Sequence, residues 1–142
     1  MNMSELKKLL RKSWTKKTSK DPRNWTPKNP AWGQCAVTAL VVQDFFGGEL
    51  RRGIVEINEK DVSLYLSHYW NLLPDGKKKD LTKEQFPKGT VIPRKGEPQS
   101  RDYVLSFPDT RKRYALLRLA IENQIRLKKV LKNQREHFSL VF

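Results

Sequence analysis

Residues 35–46 read CAVTALVVQDFF, and two glycines, Gly47 and Gly48, follow them directly. This stretch is apolar nearly all round, and a helix that is hydrophobic on every side is a buried helix. The β-branched valines would also suit a strand, but the length of the stretch and the paired glycines at its end favour a helix. The sequence therefore predicts a buried helix over 35–46.

Strands are predicted on the C-terminal side of this helix. Residues 49–57 read as one strand, in which Gly53 marks a candidate bulge, and residues 62–73 read as a second. Pro74-Asp75-Gly76 predicts a hairpin turn, because proline presets φ, aspartate caps the turn and glycine accepts the left-handed position. Residues 77–82 then return as the partner strand, and the fold class is α+β.

A helix is predicted near each end of the chain. Residues 4–13 carry leucines at helical spacing among basic residues, which is the pattern of a short basic amphipathic helix. Residues 109–134 form a long helix with one apolar side, while its other positions are mostly Arg and Lys. The apolar tail 138–142 is predicted to dock on the body of the protein or on a partner.

The length of 142 residues fits a single domain, since two domains would each have a marginal core. Prolines make residues 15–30 and 86–98 mostly loop. The predicted organisation is a basic N-terminal helix and arm over 1–20, a core over 21–107, and a C-terminal helix and tail over 108–142.

The chain is strongly basic. Lys and Arg outnumber Asp and Glu by 29 to 15, which gives a net charge of +14 at pH 7. Such an excess favours polyanions through counterion release, and it serves equally well to keep a surface solvated. Two basic clusters stand out: Lys7, Lys8, Arg11, Lys12, Lys16, Lys17 and Lys20 near the start, and Arg111, Arg113, Arg118, Arg126, Lys128, Lys129 and Lys132 on the last helix.

The cellular location is expected to be the cytoplasm. The first residues lack the apolar stretch of a secretory signal, and no window approaches the ~20 apolar residues of a membrane span. A single cysteine cannot form an internal disulfide, so a reducing compartment is the simpler assumption. We therefore expect no membrane partner.

Cys35 is the first candidate for chemistry. It stands at the N-terminus of the predicted buried helix, where unpaired N–H groups and the helix dipole favour a thiolate and can hold an oxyanion. Gly33 allows close backbone approach, and the side chains of Gln34 and Trp32 offer nearby donors. Alone, a cysteine among Ala and Val is more often a small core residue.

A thiolate nucleophile usually needs an imidazole base and a third group that orients the base. His137 lies in the charged tail, whereas His68 lies in the predicted strand 62–73. A three-residue turn opposes Trp70 to Asp80, which makes His68 and Asp80 diagonal neighbours on one face.

A two-residue turn would instead pair Asn71 with Asp80 and move His68 to the opposite face. The Pro-Asp-Gly chemistry favours the three-residue turn, so Asp80 is the predicted orienting residue and Asn71 its reserve. Asp80 also fits an ordinary exposed acid among lysines.

Three motifs in this order carry a resemblance: Gly33-Gln34-Cys35-Ala36-Val37-Thr38-Ala39, His68-Tyr69-Trp70-Asn71 and Asp80-Leu81-Thr82. Together they resemble the Cys, His and Asp motifs of transglutaminase-like proteins within the papain-like cysteine enzymes. The resemblance implies a helix headed by the nucleophile and packed on an antiparallel sheet that bears the His and Asp. It also implies acyl transfer through a thioester, with Cys35 as nucleophile, His68 as general base and then acid, and Asp80 as orienter.

One feature departs from that pattern. The oxyanion glutamine of papain-type enzymes precedes the cysteine by several residues, whereas Gln34 precedes Cys35 directly, so the Cys35 backbone N–H is the better candidate donor. A wider stretch, from Trp25-Thr26-Pro27 to Gln85-Phe86, is similar to small bacterial YunG-like proteins, a resemblance that implies no particular activity.

The leading prediction is a thiol-dependent acyl hydrolase or transferase acting on an amide, peptide or isopeptide bond. Its predicted site has Cys35, His68 and Asp80 as catalytic residues, with Gln34, Trp32, Asn71 and Trp70 in support. No cofactor is expected, and one Cys with two distant His does not make a zinc site. The alternatives are a non-catalytic basic module that binds nucleic acid or an acidic protein, and a degenerate enzyme fold that serves protein interaction.

Overall fold

The structure, a computed structural model, describes residues 1–141, and of Val141 it describes the backbone alone. The fold is α+β, with a four-stranded antiparallel sheet in the order β3-β2-β1-β4 and a long C-terminal helix. The elements are α1 (Met3–Ser13), α2 (Cys35–Phe46), β1 (Glu49–Glu59), β2 (Val62–Leu72), β3 (Lys78–Lys79), β4 (Glu97–Gln99), α3 (Arg101–Leu105) and α4 (Pro108–Val141), with 3₁₀ turns at Lys16–Thr18 and Lys83–Gln85.

The helix predicted over 35–46 is confirmed with the same bounds, as α2. Its residues from Val37 to Val42 are all buried, because the helix packs against β2 on one side and α4 on another. It ends at Gly47, whose φ of 71° lies in the left-handed region that glycine adopts at no steric cost.

Strands β1 and β2 form a long hairpin whose register runs unbroken from Glu49↔Leu72 to Glu59↔Val62. The bulge expected at Gly53 is therefore wrong. A glycine is needed there for another reason: a Cβ at this position would lie 2.8 Å from the Trp70 ring and 2.9 Å from Pro93. Gly53 thus allows both side chains to pack against the strand.

The turn between β2 and β3 has the predicted three-residue form. The Leu73 N–H donates to the Lys77 carbonyl at 2.9 Å, and Asn71 pairs with Lys79. The returning strand is shorter than the predicted 77–82, because the chain leaves the sheet after Lys79 and enters the turn at 83–85. This early departure places Asp80 beside the end of β3.

The helices from both ends of the chain belong to the hydrophobic core, so the core extends beyond the predicted 21–107. Leu6, Leu10 and Trp14, from α1 and the residue that follows it, form one buried cluster with Leu117 and Ile121 of α4. The indole of Trp14 also donates to the Thr38 hydroxyl at 2.9 Å. The N-terminal helix and Trp14 are therefore packed against the body of the protein.

Beyond residue 125, α4 leaves the body, and every described side chain there is exposed. The sequence predicts that the tail 138–142 docks on the body or on a partner. Docking on the body is wrong for Phe138 and Leu140, which are 60% and 88% exposed, because the helix continues outward past the last core contacts. Docking on a partner stays a prediction. Phe142 and the side chain of Val141 lie outside the described residues. Within residues 1–141, no helix combines the length and apolarity needed to cross a bilayer.

Candidate active site

Cys35 is half-buried at the first position of α2, and a tight loop delivers it there. Gly33 in this loop has a φ of +74°, and a Cβ on it would lie 2.3 Å from the Ser19 hydroxyl. The Lys20 N–H donates to the Gly33 carbonyl at 2.9 Å, and the Ser19 hydroxyl donates to the Trp32 carbonyl at 2.7 Å. These hydrogen bonds hold the backbone of residues 32 and 33, which directly precede Gln34 and Cys35.

His68 is fully buried on β2 and is held by a carboxylate. Its Nε2 lies 2.6 Å from Oδ2 of Asp80, whose own side chain is only 6% exposed. The other carboxylate oxygen of Asp80 accepts from the Thr82 N–H at 3.2 Å. Phe86 packs edge-on to the imidazole with ring centroids 4.8 Å apart, and Trp70 flanks it at 5.9 Å. The ring is therefore fixed in orientation and shielded from water.

The second ring nitrogen of His68, Nδ1, is buried and has no hydrogen-bond partner of ordinary geometry in residues 1–141. The imidazole and the Cys35 thiol interact, and each shifts the pKa of the other. Burial lowers the pKa of His68, but the bond to Asp80 and the interaction with Cys35 outweigh burial and raise that pKa to about 9.

Burial by itself raises the pKa of the Cys35 thiol. The interaction with His68 and a hydrogen bond from the Tyr69 backbone outweigh this effect, so the net result is a lowered pKa. A raised imidazole pKa beside a lowered thiol pKa favours an imidazolium–thiolate pair.

Cys35 lines a cleft of about 280 Å³. The walls of this cleft combine cationic and aromatic side chains. These side chains come from β1, β2, α3, the start of α4 and the segment before Asp21, and they include Lys20, Arg52, Tyr69, Tyr103, Phe107 and Arg113. Two larger depressions, of about 580 Å³ and 780 Å³, are not lined by Cys35 or His68; Phe86 lines the first and Asp80 the second. The thiol therefore faces an open cleft that could admit a small acyl group.

Three of the four predicted supporting residues have other roles. The fully buried Gln34 amide donates to the Thr15 carbonyl at 3.0 Å, the Trp32 indole donates to Asp21 at 3.1 Å, and the Asn71 amide donates to the Ala39 carbonyl at 2.9 Å. None of these three side chains lines the cleft. The structure thus brings together Cys35, His68, Asp80 and Trp70, and the other three brace the surrounding backbone.

Three further residues contribute to the site but are not predicted as site residues from the sequence: Tyr69, Thr82 and Phe86. Thr82 could have been found, because an aspartate whose side chain accepts the N–H two residues later is a common turn signal. Phe86 and the backbone of Tyr69 reach the site through tertiary packing, for which no local signal exists. Within residues 1–141, no group of three or more His, Cys, Asp and Glu side chains is arranged to hold a metal ion.

Comparison with known proteins gives two matches. A model of the YunG protein family matches residues 2–126. The uncharacterized protein YunG of Bacillus subtilis (strain 168) is 37% identical over 84 residues, which cover 59% of this chain and 63% of that protein. The match therefore spans less than two thirds of the relative's length. No solved structure is significantly similar to the chain.

Proposed function

The chain belongs to the YunG protein family, and we propose that it is a thiol-dependent acyl hydrolase or acyl transferase with Cys35 as its nucleophile. The observation that carries the proposal is the state of His68. This imidazole is fully buried and bonded through Nε2 to Asp80, and the ring interacts with Cys35. Its Nδ1 has no conventional hydrogen-bond partner among residues 1–141.

A purely structural histidine explains this arrangement poorly. Buried polar atoms are nearly always hydrogen-bonded, and an unsatisfied one lowers stability, so a fold selected for stability alone has no use for an open Nδ1 beside a thiol. The lone thiol, the imidazole and the carboxylate also come from α2, β2 and the segment after β3, three separate elements of the fold. Strongly shifted pKa values next to a cleft are typical of functional sites.

In the proposed reaction, the Cys35 thiolate attacks the carbonyl carbon of an ester or amide. A C–S bond forms, the carbonyl electron pair moves to oxygen, and the tetrahedral intermediate collapses to a thioester as the C–O or C–N bond breaks. The His68 imidazolium gives its proton to the leaving group from Nδ1. The neutral imidazole then takes a proton from water or from an acceptor amine, which attacks the thioester and releases the thiolate.

The oxyanion of this intermediate needs donors near the sulfur. The first turn of α2 offers backbone N–H groups that have no intrahelical acceptor, beginning with Cys35 and Ala36. The Gln34 side chain is a weak candidate because its amide is fully buried and donates to Thr15. Backbone donors therefore fill the oxyanion role in this proposal.

The proposal extends to the transglutaminase-like resemblance. A helix headed by cysteine, an antiparallel sheet bearing the histidine, and an aspartate one hairpin later are the features that this resemblance implies, and they support it. A reducing, cytoplasmic location would suit a site that requires a free thiol. The substrate on this view is a compound with a reactive ester, amide, peptide or isopeptide bond.

Alkylation by iodoacetamide tests the proposal directly, because Cys35 is the only cysteine in the chain. We expect fast labelling at pH 6–7, where an ordinary thiol of pKa ~8.5 is mostly protonated. Hydrolysis of 4-nitrophenyl acetate should be lost in Cys35→Ala. Labelling that rises with pH like that of a free cysteine, together with unchanged hydrolysis in Cys35→Ala, would refute the assignment.

A basic binding role is the second candidate, and the exposed end of α4 favours it. Arg126, Lys128, Lys129 and Lys132 are exposed on this helix, and none of them has an ion pair within residues 1–141. Other members of the predicted basic clusters are neutralised: Arg113 is buried against Asp109, Arg118 bonds Asp44 and Glu122, and Arg11 bonds Glu84. The α4 end is thus the better candidate for a polyanion contact.

Titration with a fluorescent single-stranded DNA at increasing salt tests this second role. Binding through several phosphate contacts should weaken steeply as salt rises, with no strong sequence preference. Affinity that stays constant with salt would exclude it. The two functions are compatible, since the α4 residues lie outside the cleft that holds Cys35.

A further inference from the structure

The walls of the Cys35 cleft contain more positive than negative charge. Lys20, Arg52 and Arg113 line the cleft, and Asp109 is its carboxylate. Arg113 is already bound to Asp109 at 2.8 Å and to the Thr18 carbonyl at 3.1 Å. Lys20 and Arg52 therefore remain as cations of the cleft without a carboxylate partner in the described chain.

Arg52 is held in place although its charge is not neutralised. It lies on β1 opposite Tyr69, and its Nε donates to the Ser67 hydroxyl. Glu97 is its cross-strand neighbour on β4, yet no ion pair forms between them in the part of the chain that the structure describes. The two terminal guanidinium nitrogens keep their donor capacity, and such a fork suits a carboxylate.

Arg52 and Cys35 line the same cleft, together with Tyr69. Burial raises the pKa of Tyr69, while Arg52 lowers it and Cys35 raises it, so the same phenol senses both groups. Tyr103 and Phe107 stand at another part of the cleft, 44% and 48% exposed, with rings packed edge-on at 5.4 Å. A ligand there meets an anchored cation and an apolar wall within one cavity.

We propose that this cleft is an anion-selective acyl site: Arg52, assisted by Lys20, binds a carboxylate of the substrate, and Tyr103 with Phe107 holds an apolar group next to it. The substrate class is then an acyl compound that carries a carboxylate a few bonds from the scissile carbonyl. This inference rests on the proposed thiol chemistry of Cys35, and it adds a specificity residue that no neighbouring motif indicated.

Two alkylating reagents of similar size, one anionic and one neutral, test the carboxylate site. Iodoacetate and iodoacetamide both form a C–S bond at Cys35 and release iodide, and intact mass reports each adduct on the single cysteine. We measure the ratio of the two rate constants at pH 7 in wild type, Arg52→Gln, Arg52→Lys and Lys88→Gln. Lys88→Gln is the control: it removes one positive charge, as Arg52→Gln does, but Lys88 is exposed and lies outside the cleft.

We expect Arg52→Gln to lower the iodoacetate-to-iodoacetamide ratio about fivefold, the size of effect that one partly solvated charge exerts. Arg52→Lys should keep most of the ratio, and Lys88→Gln should leave it unchanged. Equal losses in Arg52→Gln and Lys88→Gln would assign the preference to the net charge of +14 and overturn the proposal.

A second measurement separates this inference from the thiol chemistry. Phenylacetate and phenylacetamide are titrated into ¹⁵N-labelled Cys35→Ser protein, and the amide shifts of the cleft residues are followed. The anionic ligand should bind at least about fivefold more tightly, and Arg52→Gln should remove the difference. Equal affinities for phenylacetate and phenylacetamide would overturn the anion site even if Cys35 is reactive. Slow iodoacetamide labelling of Cys35, with phenylacetate still bound more tightly, would refute the thiol chemistry alone.

Discussion

Nε2 of His68 and Oδ2 of Asp80 lie 2.6 Å apart although the two residues are twelve positions apart in the chain. The turn at Pro74-Asp75-Gly76 sets this distance, because it fixes the β2–β3 register at Asn71↔Lys79 and so turns His68 and Asp80 toward one another. Thr82 then holds the second carboxylate oxygen. A one-residue change in the turn would move His68 to the opposite face of the sheet.

Replacement of Asp80 by asparagine should reduce the reactivity of Cys35. Asp80 has two opposed effects on the thiol: its charge raises the pKa of Cys35, and its hydrogen bond raises the pKa of His68, whose imidazolium lowers the pKa of Cys35. The His68 effects on Cys35 are the larger, so Asp80→Asn should raise the pKa of Cys35 and slow iodoacetamide labelling at pH 6.5 several-fold.

The matched control is Asp61→Asn at the exposed tip of the β1–β2 hairpin. Asp61 has a φ of 67°, a conformation that asparagine also adopts readily. This variant carries the same loss of charge, and its labelling rate should equal that of wild type. Faster or unchanged labelling in Asp80→Asn would show that Asp80 does not support the imidazolium.

The pH dependence of labelling should have two parts. The pKa of Cys35 is lowered and that of His68 is raised to about 9, so the thiolate–imidazolium pair should persist at pH values between these two pKa values. The labelling rate should therefore be nearly flat through neutral pH. A further rise is expected near pH 9, because loss of the imidazolium proton frees a more basic and more nucleophilic thiolate.

His68→Gln provides the comparison for this profile. Without an imidazolium, burial should dominate and raise the pKa of Cys35, so that labelling climbs about tenfold per pH unit below that pKa. Rate constants measured from pH 5 to 10 in both proteins decide the matter. A single rise near pH 8.5 in wild type would contradict the ion pair.

The sequence predicted those parts of the site that local chemistry determines. The bounds of α2 follow from an apolar run that ends in glycine, and the His68–Asp80 relation follows from the residues preferred in one turn type. Both signals act within a few residues and need no knowledge of the rest of the fold. They also positioned the thiol at a helix start.

The parts that depend on packing were not predictable. Gly53 reads as a bulge in sequence, but it is needed because Trp70 and Pro93 approach the strand from elsewhere. The sequence offers Gln34 as an oxyanion donor, but its side-chain amide donates instead to the Thr15 carbonyl, which is distant in the sequence. The cleft at Arg52 likewise combines residues of β1, β2, α3 and α4, which no local pattern brings together.

Removal of residues 127–142 should leave the folded body intact. The last core contacts of α4 are made by Ile121 and Ile125, and the described side chains beyond them are exposed, so the free energy of unfolding should change by less than about 1 kcal/mol. Labelling of Cys35 should be unaffected. Affinity for single-stranded DNA should fall, because four cations are removed with one acid.

A full-length variant with Lys128, Lys129 and Lys132 replaced by glutamine separates charge from the apolar residues of this segment. If the helix binds polyanions, this variant should weaken binding nearly as much as the truncation does. The magnitude of the slope of log K against log salt for the single-stranded DNA should fall by about 2. A large drop in thermal stability of the truncated protein would instead indicate that the helix end supports the body.

Substitution of Gly33 by alanine should damage both the fold and the site. A Cβ there meets the Ser19 hydroxyl at 2.3 Å and the Lys20 backbone nitrogen at 2.9 Å, and φ is +74°. Gly89→Ala is the matched control, since its φ is +83° but no atom of the described residues lies within 4 Å of the added Cβ. The control should lose about 1 kcal/mol from the backbone conformation alone.

Gly33→Ala should lose about 2–4 kcal/mol, because the overlap adds to the backbone term and the 19–20 segment must move. The loop that carries Cys35 moves with it, so iodoacetamide labelling at pH 6.5 should slow in Gly33→Ala and stay at the wild-type rate in Gly89→Ala. Urea unfolding and labelling rates measured on both variants provide the comparison. Equal stability losses with equal labelling rates would show that the Ser19–Gly33 contact does not position the nucleophile.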